Sequence, residues 1–307
     1  MDFEIVLRAL GPLALAAAAA LAADRTMARR GLLPPGFAEP WRRAGGLAVL
    51  AGVFYVTAFA ALGTVGMEVD LDLSAVQPWE LFALHAVLVA SMAAWAVLAW
   101  AGVGERGGVA EAAGAGAAWR EPAASESGSV PGPEPGGLAA ALRGFRLAPA
   151  HPLARELALG VGAGVAIWGA VLALLLAIAA AVLALGGEAL LPEGPPELVT
   201  FVVGQPVWVR VAAALSAGLV EEAFFRGFLQ PRIGIVASSL LFVLAHASYG
   251  EPFMLVGVAL LSVVYALLAR RRRDVWAAAA AHAVFDAVQL LVLIPFAVER
   301  LSAAGAA

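Results

Sequence analysis

Apolar residues run through this chain in long blocks, without the short apolar–polar alternations of a soluble domain. A helix needs about 20 mostly apolar residues to cross a bilayer. Stretches of that kind fall at 5–23, 45–67, 79–103, 156–186, 199–230, 233–249, 252–269 and 275–297. The pattern predicts an all-α, polytopic membrane protein with about eight transmembrane helices. The first stretch has no basic n-region and no clean small-residue cleavage site, so it reads as a span rather than a leader. The stretch at 199–230 exceeds one crossing, which predicts an interfacial start and a break near Pro206, where the ring removes a backbone donor.

The polar segments between these blocks alternate in charge. Arg25, Arg29, Arg30, Arg42 and Arg43 fall in the first loop, and Arg106, Arg120, Arg143, Arg146 and Arg155 in the third. Arg232 falls in the fifth and Arg270 to Arg273 in the seventh. The intervening loops carry Glu68, Asp70 and Asp72, then Glu188, Glu193 and Glu197, then Glu251. Basic residues are retained on the cytoplasmic side, so the basic loops are expected in the cytoplasm and both termini outside. The four-arginine run before Asp274 reads as a topology anchor. Residues 104–150 are rich in Gly, Ala, Pro, Ser and Glu, with too little apolar periodicity to fold, and read as a flexible cytoplasmic linker. The expected organisation is a three-span region at 1–103, a linker at 104–150 and a five-span region at 151–307.

Composition agrees with lipid as part of the solvent. Of 307 residues, 62% are hydrophobic and 14% charged, against about 25% charged in an average soluble domain; mean hydropathy is +0.89. The chain has no cysteine, which excludes disulfides, thiolate metal sites and a Cys nucleophile. Every basic residue other than histidine is Arg, and with the excess of Ala and Gly this points to a GC-rich, bacterial genome and a cell-membrane location. The bilayer is the first expected partner, and no nucleic acid is expected.

Chemistry is concentrated in the last four spans. An ionisable side chain at mid-membrane costs about 2.5–3.5 kcal/mol on insertion scales. The first four spans hold almost none, His85 being the main exception. The last four place Glu221, Glu222, Arg226, His246, His282 and Asp286 inside apolar sequence, which requires a shared polar pocket or a water-lined path. Glu222 and Arg226 are spaced i, i+4 and share a helix face. Glu221, about 100° round the helix, is left without a partner in its own segment and suits the removal of a proton from water. His282 and Asp286 are again i, i+4, as are Phe242 and His246, which stacks an aromatic ring against an imidazole. His85 stands alone and reads as a hydrogen-bonded structural residue; His151 reads as solvated in the linker. His246, His282, Asp286 and Glu221 could also supply a zinc-like divalent site with an open position for water, although the HExxH signature is absent. Serine chemistry lacks a GxS motif in a span with a histidine partner. Paired-aspartate chemistry is excluded because Asp286 is the only mid-span Asp.

The order Glu221-Glu222-xxx-Arg226, Phe242-xxx-His246, His282-xxx-Asp286 resembles the CPBP family of membrane peptidases. That family includes type II CAAX prenyl endopeptidases and bacteriocin-immunity-type proteins, and the resemblance covers about residues 195–297. It implies glutamate-dependent hydrolysis of a peptide or membrane-protein substrate within the bilayer. Glu221 matches the general base, His246 the residue that binds and polarises the water, and Glu222 with Arg226 the support of the carboxylate helix. His282 with Asp286 matches the pair beside the oxyanion. Prenyl-protein endopeptidases of the family usually carry Asn where this chain has Asp286. An ionised Asp accepts but cannot donate, so Asp286 is left to be protonated, to orient His282, or to ligate a metal. The alternatives are a non-catalytic immunity or scaffold protein using the same pocket, and a proton-coupled transporter. The second lacks the matching charged set in the first half that repeats predict.

Overall fold

The computed structural model of the chain describes residues 3–60, 76–101, 138–187, 191, 197–247 and 252–305. Glu68, Asp70, Asp72, Arg106, Arg120, Glu188, Glu193 and Glu251 lie outside them, as does 102–137, most of the expected linker. Among the described residues every regular element is helical, and the chain is an all-α polytopic membrane protein. The helices are α1 (Phe3–Arg29), α2 (Pro40–Phe54), α3 (Ala83–Trp100), α4 (Leu138–Gly144), α5 (Leu153–Ala184) and α6 (Glu197–Gly204). They are followed by α7 (Val207–Ser216), α8 (Gln230–Ile233), α9 (Ile235–Ala245), α10 (Pro252–Arg272), α11 (Trp276–Val288) and α12 (Ile294–Gly305). Four described helical stretches are long and apolar enough to cross a membrane, at Pro78–Trp100, Leu153–Ala184, Met254–Arg272 and Trp276–Arg300. The long fifth block breaks between Gly204 and Val207, with Pro206 in extended backbone just ahead of α7. Gly234, at φ 90°, turns the chain from α8 into α9 through a region that side chains with a Cβ rarely enter.

The segments that carry arginine meet at one end of the bundle. Arg30 donates to the Arg232 carbonyl, and Arg232 to the Gly144 and Phe228 carbonyls. Arg42 donates to the carbonyls of Leu98 and Ala101. Arg272 pairs with Glu156, and Asp274 accepts from the backbone of Ala150 and Trp276. The described helix α4 begins at Leu138, inside the region read as linker from sequence. Phe145 is buried there, edge-on to Trp100 at 5.6 Å and to Phe228 at 5.5 Å, and its carbonyl lies against Gly227. The expectation of a flexible segment up to 150 is therefore corrected: a single aromatic anchored by a distant helix leaves no periodicity of its own to read.

Helix association in lipid depends on close packing, because apolar surface is no better off against protein than against acyl chains. Two contacts of this kind place the site. Trp95 of α3 is fully buried, edge-on to Phe37 at 4.7 Å and Phe228 at 5.1 Å, which binds the N-terminal helices to the segment between α7 and α8. On the other side, Gly160 and Gly164 of α5 lie against Ala277 and Ala281 of α11. A Cβ added at Gly164 would sit 2.7 Å from the Ala281 carbonyl oxygen, whereas one at Gly162 would meet nothing within 4 Å. Gly164→Ala is accordingly expected to destabilise by about 1–3 kcal/mol through overpacking. Gly162→Ala should be neutral or slightly stabilising on helix propensity. Thermal midpoints in lipid nanodiscs check the contrast, and equal midpoints would remove this contact from the account of α11.

Candidate active site

The helix carrying the two glutamates is not regular. Between α7 and α8 it runs through π-helical turns at Ala217–Glu221 and Ala223–Leu229. Such wide turns are rare and concentrate at functional sites. Gly218 lies close against α11, where an added Cβ would come within 2.5 Å of the Ala279 carbonyl oxygen. The widened helix is thus pressed onto the element that carries His282. Adjacent in sequence, Glu221 and Glu222 then serve two different clusters.

Glu222 heads the deeper one. Its Oε1 lies 3.0 Å from His282 Nδ1, and its Oε2 lies 3.3 Å from Arg226 Nε. Glu222 and Arg226 are both fully buried. Arg226 also donates through Nη2 to the backbone oxygen and hydroxyl of Ser262, at 3.3 and 3.4 Å. Its guanidinium lies 4.3 Å from the centre of the Phe242 ring, a favourable placement for a desolvated cation. Tyr265 of α10 stacks on His282 with centroids 5.1 Å apart and planes 21° from parallel. The other ring nitrogen, His282 Nε2, faces Asp286 Oδ2 at 3.5 Å.

Glu221 heads the second cluster. Its Oε1 lies 3.3 Å from His85 Nε2, and its Oε2 lies 3.9 Å from His246 Nε2. The His246 ring sits on Phe242, centroids 4.5 Å apart, and its Nδ1 is 2.8 Å from the Phe242 carbonyl oxygen. A carbonyl can only accept, so Nδ1 carries the proton, and in a neutral ring Nε2 then presents a lone pair. The side chain of Asp286 is the most open of the group at 27% exposure, against 13% for Glu221 and 16% for His246.

All the residues singled out from sequence in the last four spans thus meet in one cluster of side chains: Glu221, Glu222, Arg226, Phe242, His246, His282 and Asp286. His85 does not stand alone: it is hydrogen-bonded, as expected, but its partner is Glu221, and its signal was its position as a lone imidazole inside an otherwise apolar span. Ser262 and Tyr265 were missed, though a hydroxyl pair at i, i+3 within an apolar block marks a helix face. Arg210 was missed as well. It donates to the Leu290 carbonyl at 3.0 Å, inside the π turn Gln289–Leu293. Exposed His151 takes no part. Among the described residues no three His, Asp or Glu side chains converge as a metal-binding group.

Glu221, Glu222 and Asp286 are thus gathered with three imidazoles inside the helical bundle. Residues 203–288 match the family model of Rce1-like type II CAAX prenyl endopeptidases, and this match supports a likeness of that segment to the CPBP family of intramembrane proteases. No curated protein and no solved structure matches the chain.

Proposed function

We propose that the protein is an intramembrane endopeptidase that hydrolyses a peptide bond in a membrane-associated protein or peptide, using water activated by Glu221. One observation carries the reading: Glu221 Oε2 and His246 Nε2 face each other at 3.9 Å, while the tautomer of His246 is held by the Phe242 carbonyl. Two acceptors at that separation suit a water that donates one hydrogen to each. Its lone pair is then directed away from both, toward a scissile carbonyl. Glu221 takes the proton as the water attacks and passes it to the leaving amine as the tetrahedral intermediate collapses. His282 Nε2 lies toward Asp286 at a length where a hydrogen bond is weak, so it can turn its donation to the oxyanion. Asp286 orients that ring, the second of the three roles its chemistry left open.

The depth of the site supports chemistry inside the bilayer. At 1.5 Å per residue, His282 and Asp286 lie about 9 and 15 Å along α11 from Trp276, within a hydrocarbon core of about 30 Å. We place the arginine-bearing end in the cytoplasm on the retention of basic loops and take the organism to be bacterial. We take the eight apolar blocks as eight crossings. We propose no resident metal, since His282 Nδ1 is engaged by Glu222 and its Nε2 must keep its proton to donate to the oxyanion.

Release of a fluorophore from a peptide library in nanodiscs tests the reading. Wild type is expected to turn over and to keep its rate after chelation. Asp286→Asn should retain activity within about threefold, since the amide oxygen still accepts from His282 and its nitrogen adds a donor for the oxyanion. Loss of turnover on chelation would put a metal in place of the Glu221 base. Inactivity of folded wild type on every peptide would overturn the peptidase reading.

A further inference from the structure

The family-matched segment begins at residue 203, yet the nearest imidazole to the proposed base comes from α3, 136 residues before Glu221 in the sequence. We propose that the N-terminal helices complete the active site by supplying His85 as a positioning residue, which fixes the carboxylate of Glu221. The inference rests on the peptidase reading for its consequence but on geometry for its substance.

Three observations support it. Leu88, Met92, Trp95 and Ala99 are the buried residues of α3, spaced four, three and four apart, and His85 continues that stripe one turn further. The face that presents His85 is therefore the one packed on the rest of the molecule. The stripe is tied down by Trp95, fully buried against Phe228, a residue of the same π-helical stretch that follows the glutamates. Finally, the two oxygens of Glu221 are differentiated. Oε1 meets His85 Nε2 at 3.3 Å, while Oε2 is buried without a hydrogen-bond partner and faces His246. An ionised carboxylate only accepts, so His85 donates from Nε2. That bond stops the carboxylate from rotating about its terminal torsion, a broad and soft one when unrestrained. One oxygen is anchored and the other is aimed at the position of the attacking water.

The test uses the full-length protein in nanodiscs, with His85→Ala and His85→Gln beside wild type and His151→Ala as a control. A Gln amide reaches about as far as the imidazole and donates one of its two hydrogens. His85→Ala is expected to lower kcat by about 10–100-fold, the scale of a misaligned catalytic group, with KM little changed. His85→Gln is expected to recover most of that loss. The chain has four histidines, so selective 15N labelling resolves each ring independently of turnover. Glu221→Gln should move the Nε2 resonances of His85 and His246 and leave that of His151 in place. Wild-type kcat in His85→Ala, or a His85 signal indifferent to Glu221→Gln, would overturn the proposal while leaving the peptidase reading intact. If wild type fails to turn over, the peptidase reading falls and the nitrogen shifts alone decide whether His85 holds Glu221.

Discussion

Glu221→Gln is expected to lower kcat by about 10²–10⁴-fold, the range of a general base, with thermal stability unchanged within about 0.5 kcal/mol. The substitution separates base chemistry from packing unusually well here. The Gln carbonyl accepts from His85 Nε2 where Oε1 did, and its NH2 donates to His246 Nε2 where Oε2 faced a lone pair. Both contacts survive, and only the capacity to take a proton is lost. Glu221→Asp keeps that capacity but withdraws the carboxylate by a methylene. Misplacement by about 1 Å costs on the order of 10²-fold in rate, so the aspartate variant should fall between wild type and the glutamine variant. Single-turnover cleavage in nanodiscs checks the order. A Gln variant as active as wild type would show that Glu221 is not the base, and equal losses in both would leave position and basicity unseparated.

Much of the fold was legible because it depends on local pattern. Blocks of about 20 apolar residues marked the helices, and Pro206 marked the break between α6 and α7 because its ring acts on its own turn. Within an element, i, i+4 spacing put Glu222 beside Arg226 and Phe242 beside His246, since 3.6 residues per turn fixes which side chains are neighbours. Contacts between elements were not legible in the same way. His85 lies far from Glu221 in sequence, and nothing in α3 alone says which face is lipid-exposed. The π turns at Ala217–Glu221 and Ala223–Leu229 accompany a close approach of Gly218 to α11, a contact between two helices. Phe145 closes one end of the bundle, yet its segment offers a single aromatic among Gly, Ala and Arg. The missed residues share this origin: the partner of each belongs to another helix.

The ion pair under the site should respond in the opposite way to Glu221. Glu222→Leu and Arg226→Met are each expected to destabilise by about 3–5 kcal/mol, the cost of leaving one buried charge without its partner. For a protein of this size that corresponds to a thermal midpoint lower by on the order of 10 °C. Both side chains are fully buried, so water cannot compensate either charge, and Ser262 offers Arg226 only neutral acceptors. The double variant removes both charges and places apolar side chains of similar volume in the cluster, and should recover most of the lost stability. Activity should not return with it. Glu222 Oε1 is also the acceptor for His282 Nδ1, and without it the ring is held only by Asp286 at 3.5 Å and by its stacking on Tyr265. The imidazole is then no longer fixed toward the oxyanion, and kcat should remain depressed by about 10²-fold in a protein that unfolds near the wild-type midpoint. Recovery of both stability and turnover in the double variant would reduce Glu222 and Arg226 to a packing clamp. Recovery of stability alone would make Glu222 a part of the catalytic arrangement, shared between Arg226 and His282.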